Sequence, residues 1–339
     1  MKYLTTIIAI LLLPLVFVAN RIIPLPDTVG RVSSVTDPRS EPLPHREVTL
    51  ITNTGSIHAL SYDGTNNTKV GELVSYKDEG GVLIIGEKYR LPSLVSLTLL
   101  FVIVVLLVSG MHGVRSLLGL VFSFVVIFKF VLPQIVAGSN PIIIALLASV
   151  VILMVSYFLS HGINSKSVIA IIGTLGALIV TGILAIIYGN LAGLTGLGSE
   201  EAGFLLDTLP RESFYKLMLA GMIIGSLGVL DDITISQASI VEELKSANHR
   251  LGMSELFLRA MRIGHDHIAS LVNTLVLVYA GSALPLLLLF VVSQIGYVDL
   301  LNYEALAEEI VRTLVASIGL VAAVPLTTLI ASYWYGSRR

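Results

Sequence analysis

Asp231 and Asp232 stand side by side inside an apolar run from Leu217 to Ile240, with Thr234, Ser236, Gln237 and Ser239 close behind them. As a helix this run is about 36 Å long, and Asp232 lies about 14 Å from its C-terminal end at Val241. That is too deep for so short a side chain to reach water. A carboxylate at such depth costs a few kcal/mol to insert, so it must face other protein, pair with a donor or take up a proton. The alternative is a helix that stops at Leu230 and leaves both acids in water. Ile233, Ile235, Ile240 and Val241 continue the apolar pattern, and no charge follows before Glu242, which favours acids inside the membrane.

A second polar set opens another apolar run. His265-Asp266-His267 is followed by Ser270, Asn273 and Thr274. Asn273 lies about 10 Å along the helix from Asp266, near the expected depth of Asp232. Two neighbouring helices would then oppose an acid with an amide and a hydroxyl. We expect Asp231, Asp232, Asp266, Asn273 and Thr274 to form a proton or ion relay, with plain interhelical hydrogen bonding as the bland alternative.

His265 and His267 suggest zinc or manganese, but residues two apart on a helix project about 200° from each other and do not easily share an ion. No metal and no other cofactor is expected. His112 and His161 sit in short loops where solvated histidine is ordinary, and no Gly-x-Ser-x-Gly elbow, phosphate-binding loop or dinucleotide fingerprint is present. No residue is assigned as catalytic. Ahead of the acids, Gly221 and Gly225 form a small-xxx-small pair with Gly228 beyond, which predicts close helix packing.

These groups need a membrane bundle to hold them. Of 339 residues, 55% are hydrophobic and 13% charged, and the mean hydropathy is +0.88. Such a chain is an integral membrane protein. A net charge of −2 leaves no basic excess for a nucleic acid, and zero cysteines remove disulfides, thiolate catalysis and Cys-ligated metals. Apolar runs long enough to span lie near 4–19, 93–110, 114–132, 141–160, 167–188, 217–240, 266–292 and 310–333. The expected fold is therefore an all-α polytopic bundle of about eight transmembrane helices, with a small all-β extracytoplasmic domain inserted after the first.

The expected organisation is an anchor or signal sequence at 1–19, the β domain at 20–92, and a seven-helix domain at 93–335. Within the last, 242–263 reads as a cytoplasmic amphipathic connector, with Ser254 to Ile263 as a basic interfacial helix. Arg115, Lys166, Lys245, Arg250, Arg259 and Arg262 fall on one side of the membrane if both termini are cytoplasmic, which sets the orientation. In the polar stretch after the first run, Arg46 to Ile51 and Val82 to Ile85 read as strands. Thr54-Gly55, Asp63-Gly64 and Glu79-Gly80-Gly81 read as turns. This module could bind a ligand or cap the bundle. Pro285 and Pro325 lie inside spans and predict kinks.

The strings GSLGVLDDITISQAS at 225–239, RIGHD at 262–266, NTLVLVYAGSALPLL at 273–287 and LGSEEA at 197–202 resemble the bacterial YibE/F family. The resemblance covers most of the chain and implies a multi-spanning protein of the cytoplasmic membrane, with an acid-bearing span and an Asn-Thr-bearing span. Asp232, Asp266, Asn273 and Thr274 match the family pattern. His265 and His267 depart from it. A local stretch, GVLDDITI at 228–235, is similar to the proton-relay region of RND and SecD/SecF-type transporters, which implies transport driven by protonation of an Asp pair.

The leading expectation is a proton-coupled transporter or translocation factor. Its partners would be the bilayer, a small-molecule, ion or lipid substrate, and a second copy or another membrane protein. The alternatives are an enzyme at the inner face using Asp266 with His265 and His267, and a non-catalytic scaffold or receptor.

Overall fold

The computed structural model describes residues 14, 16, 25–36, 45–62, 68–294 and 296–337. The chain divides into two compact units, Met1–Val114 and Arg115–Arg339.

The first unit carries five strands, β1 Val29–Val35, β2 His45–Thr52, β3 Gly55–Tyr62, β4 Leu73–Glu79 and β5 Val82–Lys88. They close into a barrel in the order β1-β2-β3-β5-β4. Alternation builds its core: on β2, Val48 and Leu50 are fully buried while Ile51 faces out. Val32, Ala59, Val74 and Ile85 complete the interior. Neighbours pair antiparallel except β3 and β5, which meet in parallel at Leu60 and Ile84. Gly80 and Gly81 take positive φ, 68° and 90°, in the turn joining β4 to β5, and Asp78 Oδ1 accepts the Gly81 N–H at 2.8 Å. The turn expected at Asp63-Gly64 lies outside the described residues.

A long helix, α1 Leu91–Val126, follows the barrel and is interrupted at Gly110, where φ is 56° and ψ −132°. Residues eight apart on an unbroken helix are separated by about 12 Å. Here a Cβ placed on Gly113 would lie 2.8 Å from the Val105 carbonyl oxygen, so the chain turns back at Gly110.

Beyond a short π-helical turn, Ile127–Val131, come α2 Leu132–Val136, α3 Pro141–His161, α4 Ser165–Leu191, α5 Glu200–Phe204, α6 Arg211–Ala247, α7 Met253–Ser282, α8 Leu284–Val292, α9 Tyr297–Asn302 and α10 Glu304–Gly336. Asn140 caps α3 through the Ile142 N–H, with Pro141 in the first turn, and Asn164 caps α4 through the Ser167 N–H. In the second unit α6 is the hub, packing against α3, α4, α7 and α10, while α10 also packs against α4 and α7.

Among the described residues five stretches are long and apolar enough to cross a membrane, or six if the bent pair α7 and α8 is one span. That is fewer than the eight runs expected, for three reasons. The run near 4–19 lies outside the described residues apart from Pro14 and Val16. The runs 93–110 and 114–132 fall in a single helical stretch, Leu91–Val136. The run 266–292 bends by 58° between α7 and α8, where Pro285 sits in the first turn of α8. Pro325, by contrast, is accommodated inside an unbroken α10. The stretch read as a connector is mostly helix: α6 continues to Ala247, and α7 begins at Met253 and runs through Ser254 to Ile263 without a stop.

Candidate functional site

The two acids of α6 look in different directions. Asp231 is half-buried and Asp232 exposed, as consecutive residues about 100° apart on a helix must differ. On the Asp231 side the helix meets a closed knot of hydroxyls. Tyr157 of α3 is 1% exposed, and Thr174 of α4 and Thr234 of α6 are fully buried. The Tyr157 hydroxyl lies 2.7 Å from Thr234 Oγ1 and 3.2 Å from Thr174 Oγ1. It donates to the Asp231 main-chain carbonyl at 2.8 Å, and the two threonine oxygens are 2.6 Å apart. Each hydroxyl has one proton and several acceptors in reach, so the knot is saturated and ties three helices together.

A turn further along α6, Gln237 Nε2 donates to the Ala260 carbonyl of α7 at 3.1 Å and to Thr328 Oγ1 of α10 at 2.7 Å. Gly264 permits this approach, because a Cβ there would lie 2.6 Å from Val324 Cγ1 and 3.2 Å from the Gln237 amide. At Gly173 and Gly319 an added Cβ would overlap Thr327 and Thr181. These are the positions where helices of this chain come close. Gly221, Gly225 and Gly228, expected to do so, lie on an exposed face of α6, and a Cβ on any of them would meet nothing within 4 Å.

Asp232 ends that open face and borders a cavity of about 160 Å³ between α6 and α7, lined by Asp232, Ile233, Ser236, His267, Ser270 and Leu271. His267 Nδ1 is buried there with no hydrogen-bond partner among the described residues. The structure thus joins Asp232 to His267 and Ser270. Asp266 and Asn273 do not line the cavity and are exposed; they project about 100° round α7 from the cavity-facing edge. Thr274 follows that edge one turn on and bonds the Ser270 carbonyl of its own helix at 2.9 Å. Matched depth pointed to Asn273, but azimuth selects His267. Among the described residues no three His, Asp or Glu side chains converge on a point that would hold a metal ion.

The sequence offers His267 only as a metal ligand or as an acid–base group of an inner-face enzyme, and Tyr157 carries no signal beyond being a tyrosine in an apolar run. Chemically, the cavity pairs a carboxylate with an imidazole and two hydroxyls at a place where a few waters fit, at roughly 30 Å³ each.

The chain belongs to the YibE/F-like protein family, whose pattern matches residues 97–337, well over half of its length. No curated protein and no solved structure matches it. The local likeness of 228–235 to RND and SecD/SecF-type transporters has no counterpart in the family match.

Proposed function

We propose, taking membership of the YibE/F-like family as the premise, that this membrane protein is a proton-coupled transporter or translocation factor of the bacterial cytoplasmic membrane. Asp232 and His267 exchange the proton in this reading, and Asp231 stands behind them. The observation that carries it is the cavity itself: a carboxylate in the middle of a 37-residue helix opens onto a small space shared with a buried imidazole nitrogen that has no partner among the described residues. A structural contact would leave neither the space nor the orphan nitrogen. The imidazole accepts or donates through Nδ1, Ser236 and Ser270 pass the proton on, and Thr274 extends the polar edge outward. Asp266 and Asn273 offer the next exchange groups on the exposed face of α7.

In the same reading the chain crosses the membrane eight times, with both termini in the cytoplasm and the barrel outside. The reversal at Gly110 supports two crossings within Leu91–Val136, since that stretch is about twice a bilayer core in length. Arg115 beside the reversal suits a cytoplasmic turn.

The test is infrared difference spectroscopy on protein in lipid across a pH jump. A carboxyl band that responds to the jump, vanishes in Asp232→Asn and shifts in His267→Gln is expected. A spectrum identical in wild type and Asp232→Asn rejects the relay.

A further inference from the structure

Where the barrel hands the chain to α1, a cavity of about 250 Å³ is lined by Arg31, Gly71, Leu73, Tyr89, Pro92 and Ser93, and its wall is mainly polar. All of these residues belong to the first unit. The sheet explains how they meet. Arg31 on β1 registers with Leu73 on β4, and the Leu73 carbonyl accepts the Tyr89 N–H at 2.8 Å just past the end of β5. Adjacent strands lie roughly 4.8 Å apart, so Arg31 and Tyr89 flank Leu73 within about 10 Å of each other. Ser93 follows in the first turn of α1, where the helix dipole adds positive potential.

Charge around this cavity is unbalanced toward the positive. The nearby acids are engaged: Glu72 accepts from Lys88 Nζ at 2.8 Å and from the Lys69 N–H at 3.0 Å, and Glu87 accepts from Arg90 at 3.0 Å. Arg31 gives one Nη to the Gly71 carbonyl at 3.0 Å and has no carboxylate partner among the described residues. Its Nε–H and its other Nη–H groups remain, an edge of the kind that takes an oxyanion bidentately. The Tyr89 and Ser93 hydroxyls have no hydrogen-bond partner among the described residues either, so three donor side chains line one space.

A cation is repelled from such a space, and an apolar molecule would strip water from Arg31 without replacing its hydrogen bonds. A phosphate can meet all three donors, because its oxygens point in several directions at once. The surroundings say which phosphate. The stretch apolar enough to cross a membrane begins at Leu91, so Tyr89 and Ser93 stand at the depth of lipid headgroups. Leu97 and Leu100 lie four and seven residues beyond Ser93, on its side of α1, and both are exposed. A phosphate held at Ser93 would send its acyl chains down that apolar face. The positive excess favours a headgroup with no cation of its own.

We infer that this cavity binds the headgroup phosphate of an anionic phospholipid, with Arg31 as its principal ligand and Tyr89 and Ser93 as further donors. The inference is independent of the proton relay, whose residues belong to the other unit. Native mass spectrometry of the full chain in detergent tests it, with phosphatidylglycerol, diacylglycerol of the same chain length and inorganic phosphate as probes. The phospholipid should bind saturably at one site, at least about tenfold more tightly than either other probe. Arg31 is exposed, so its variants should fold. Arg31→Gln should weaken the phospholipid by about the same factor, and Tyr89→Phe and Ser93→Ala by less. Arg31→Lys, which keeps the charge and loses the fork, should fall between wild type and Arg31→Gln. Equal binding of diacylglycerol, or of the phospholipid to Arg31→Gln, would mean that acyl packing alone holds the lipid and would overturn the site. Inorganic phosphate binding as tightly as the phospholipid would overturn the lipid assignment in favour of a soluble phosphate. No saturable binding of the phospholipid to wild type would overturn the inference outright, without recourse to any variant.

Discussion

Two polar regions adjoin on α6, separated by little more than the turn from Asp231 to Asp232, and they are built on opposite principles. Around Tyr157, Thr174 and Thr234 every hydroxyl has a partner and the side chains are closed off from solvent. Around Asp232 and His267 there is free volume and a nitrogen without a partner among the described residues. Buried polar groups that are saturated hold a bundle in one arrangement, whereas unsaturated ones beside a cavity can change protonation without breaking contacts. The lesson is that polarity on an apolar helix does not by itself distinguish a packing contact from a candidate site. Satisfaction and space distinguish the two cases.

The contrast is broken most directly at the knot. Tyr157→Ala should cost about 3–5 kcal/mol and Tyr157→Phe about 1–3 kcal/mol, since the threonines and the Asp231 carbonyl lose their shared partner. Thermal unfolding in detergent would measure both. Should Tyr157→Phe leave stability unchanged, the knot is not what joins the helices.

Glycines give the next largest effect and sharpen the same distinction between filled and open faces. Gly264→Ala forces a Cβ against Val324 and should destabilise by about 1–3 kcal/mol. Gly225→Ala meets open space and should be neutral, or stabilising by up to about 1 kcal/mol from helix propensity. Loss of folded protein in Gly225→Ala would mean that something covers that face.

At the cavity, Asp232→Asn should leave the unfolding temperature nearly where it was, a change of about 0.5 kcal/mol or less for an exposed position, while removing the pH-responsive carboxyl band. A large loss of stability would move Asp232 from the working region to the structural one.

The smallest effect belongs to the barrel, where Glu72 and Lys88 form a satisfied pair. Glu72 accepts from Lys88 Nζ at 2.8 Å and from the Lys69 main-chain N–H at 3.0 Å, and these contacts, the lysine bond foremost, hold its carboxyl below the usual range. A folded value below the unfolded one means the stabilisation is complete above the ordinary carboxylate pKa and fades as pH falls toward the folded value. Hydrogen-exchange protection factors of the β4 and β5 amides in the full chain, corrected for the intrinsic pH dependence of exchange, should therefore fall below about pH 4.3. The pair is half-exposed, so the effect should stay under about 1 kcal/mol. Glu72→Gln should flatten it, and an unchanged pH profile in that variant would show the pair contributes nothing.

Local patterns made much of this legible. Alternation along Arg46 to Ile51 announced a strand that buries Val48 and Leu50, and the paired glycines at 80 and 81 announced the turn. Asp231 and Asp232 were legible as acids within one long apolar helix because an apolar run surrounds them. The parallel seam between β3 and β5 was not, since it joins residues with no local signal for pairing. Nor were the acids' partners. Sequence spacing fixes how far along α7 a residue lies, but which side faces α6 depends on where the helices touch, and that is decided by Gln237 meeting Gly264 and Ala260. The knot is harder still, with members 17 and 60 residues apart along the chain and no pattern linking them.

The closure of the barrel also limits how the first unit can be recognised. An open sheet lends its border to an incoming peptide, which adds a strand and reads little more than backbone. Here each of the five strands already has two neighbours, so among the described residues no strand has a wholly open edge to lend. A protein that docks on this unit must read side chains at the barrel's ends or on its outer wall. It could add a strand only by prising apart the Leu60 and Ile84 seam, the one with a single registered pair.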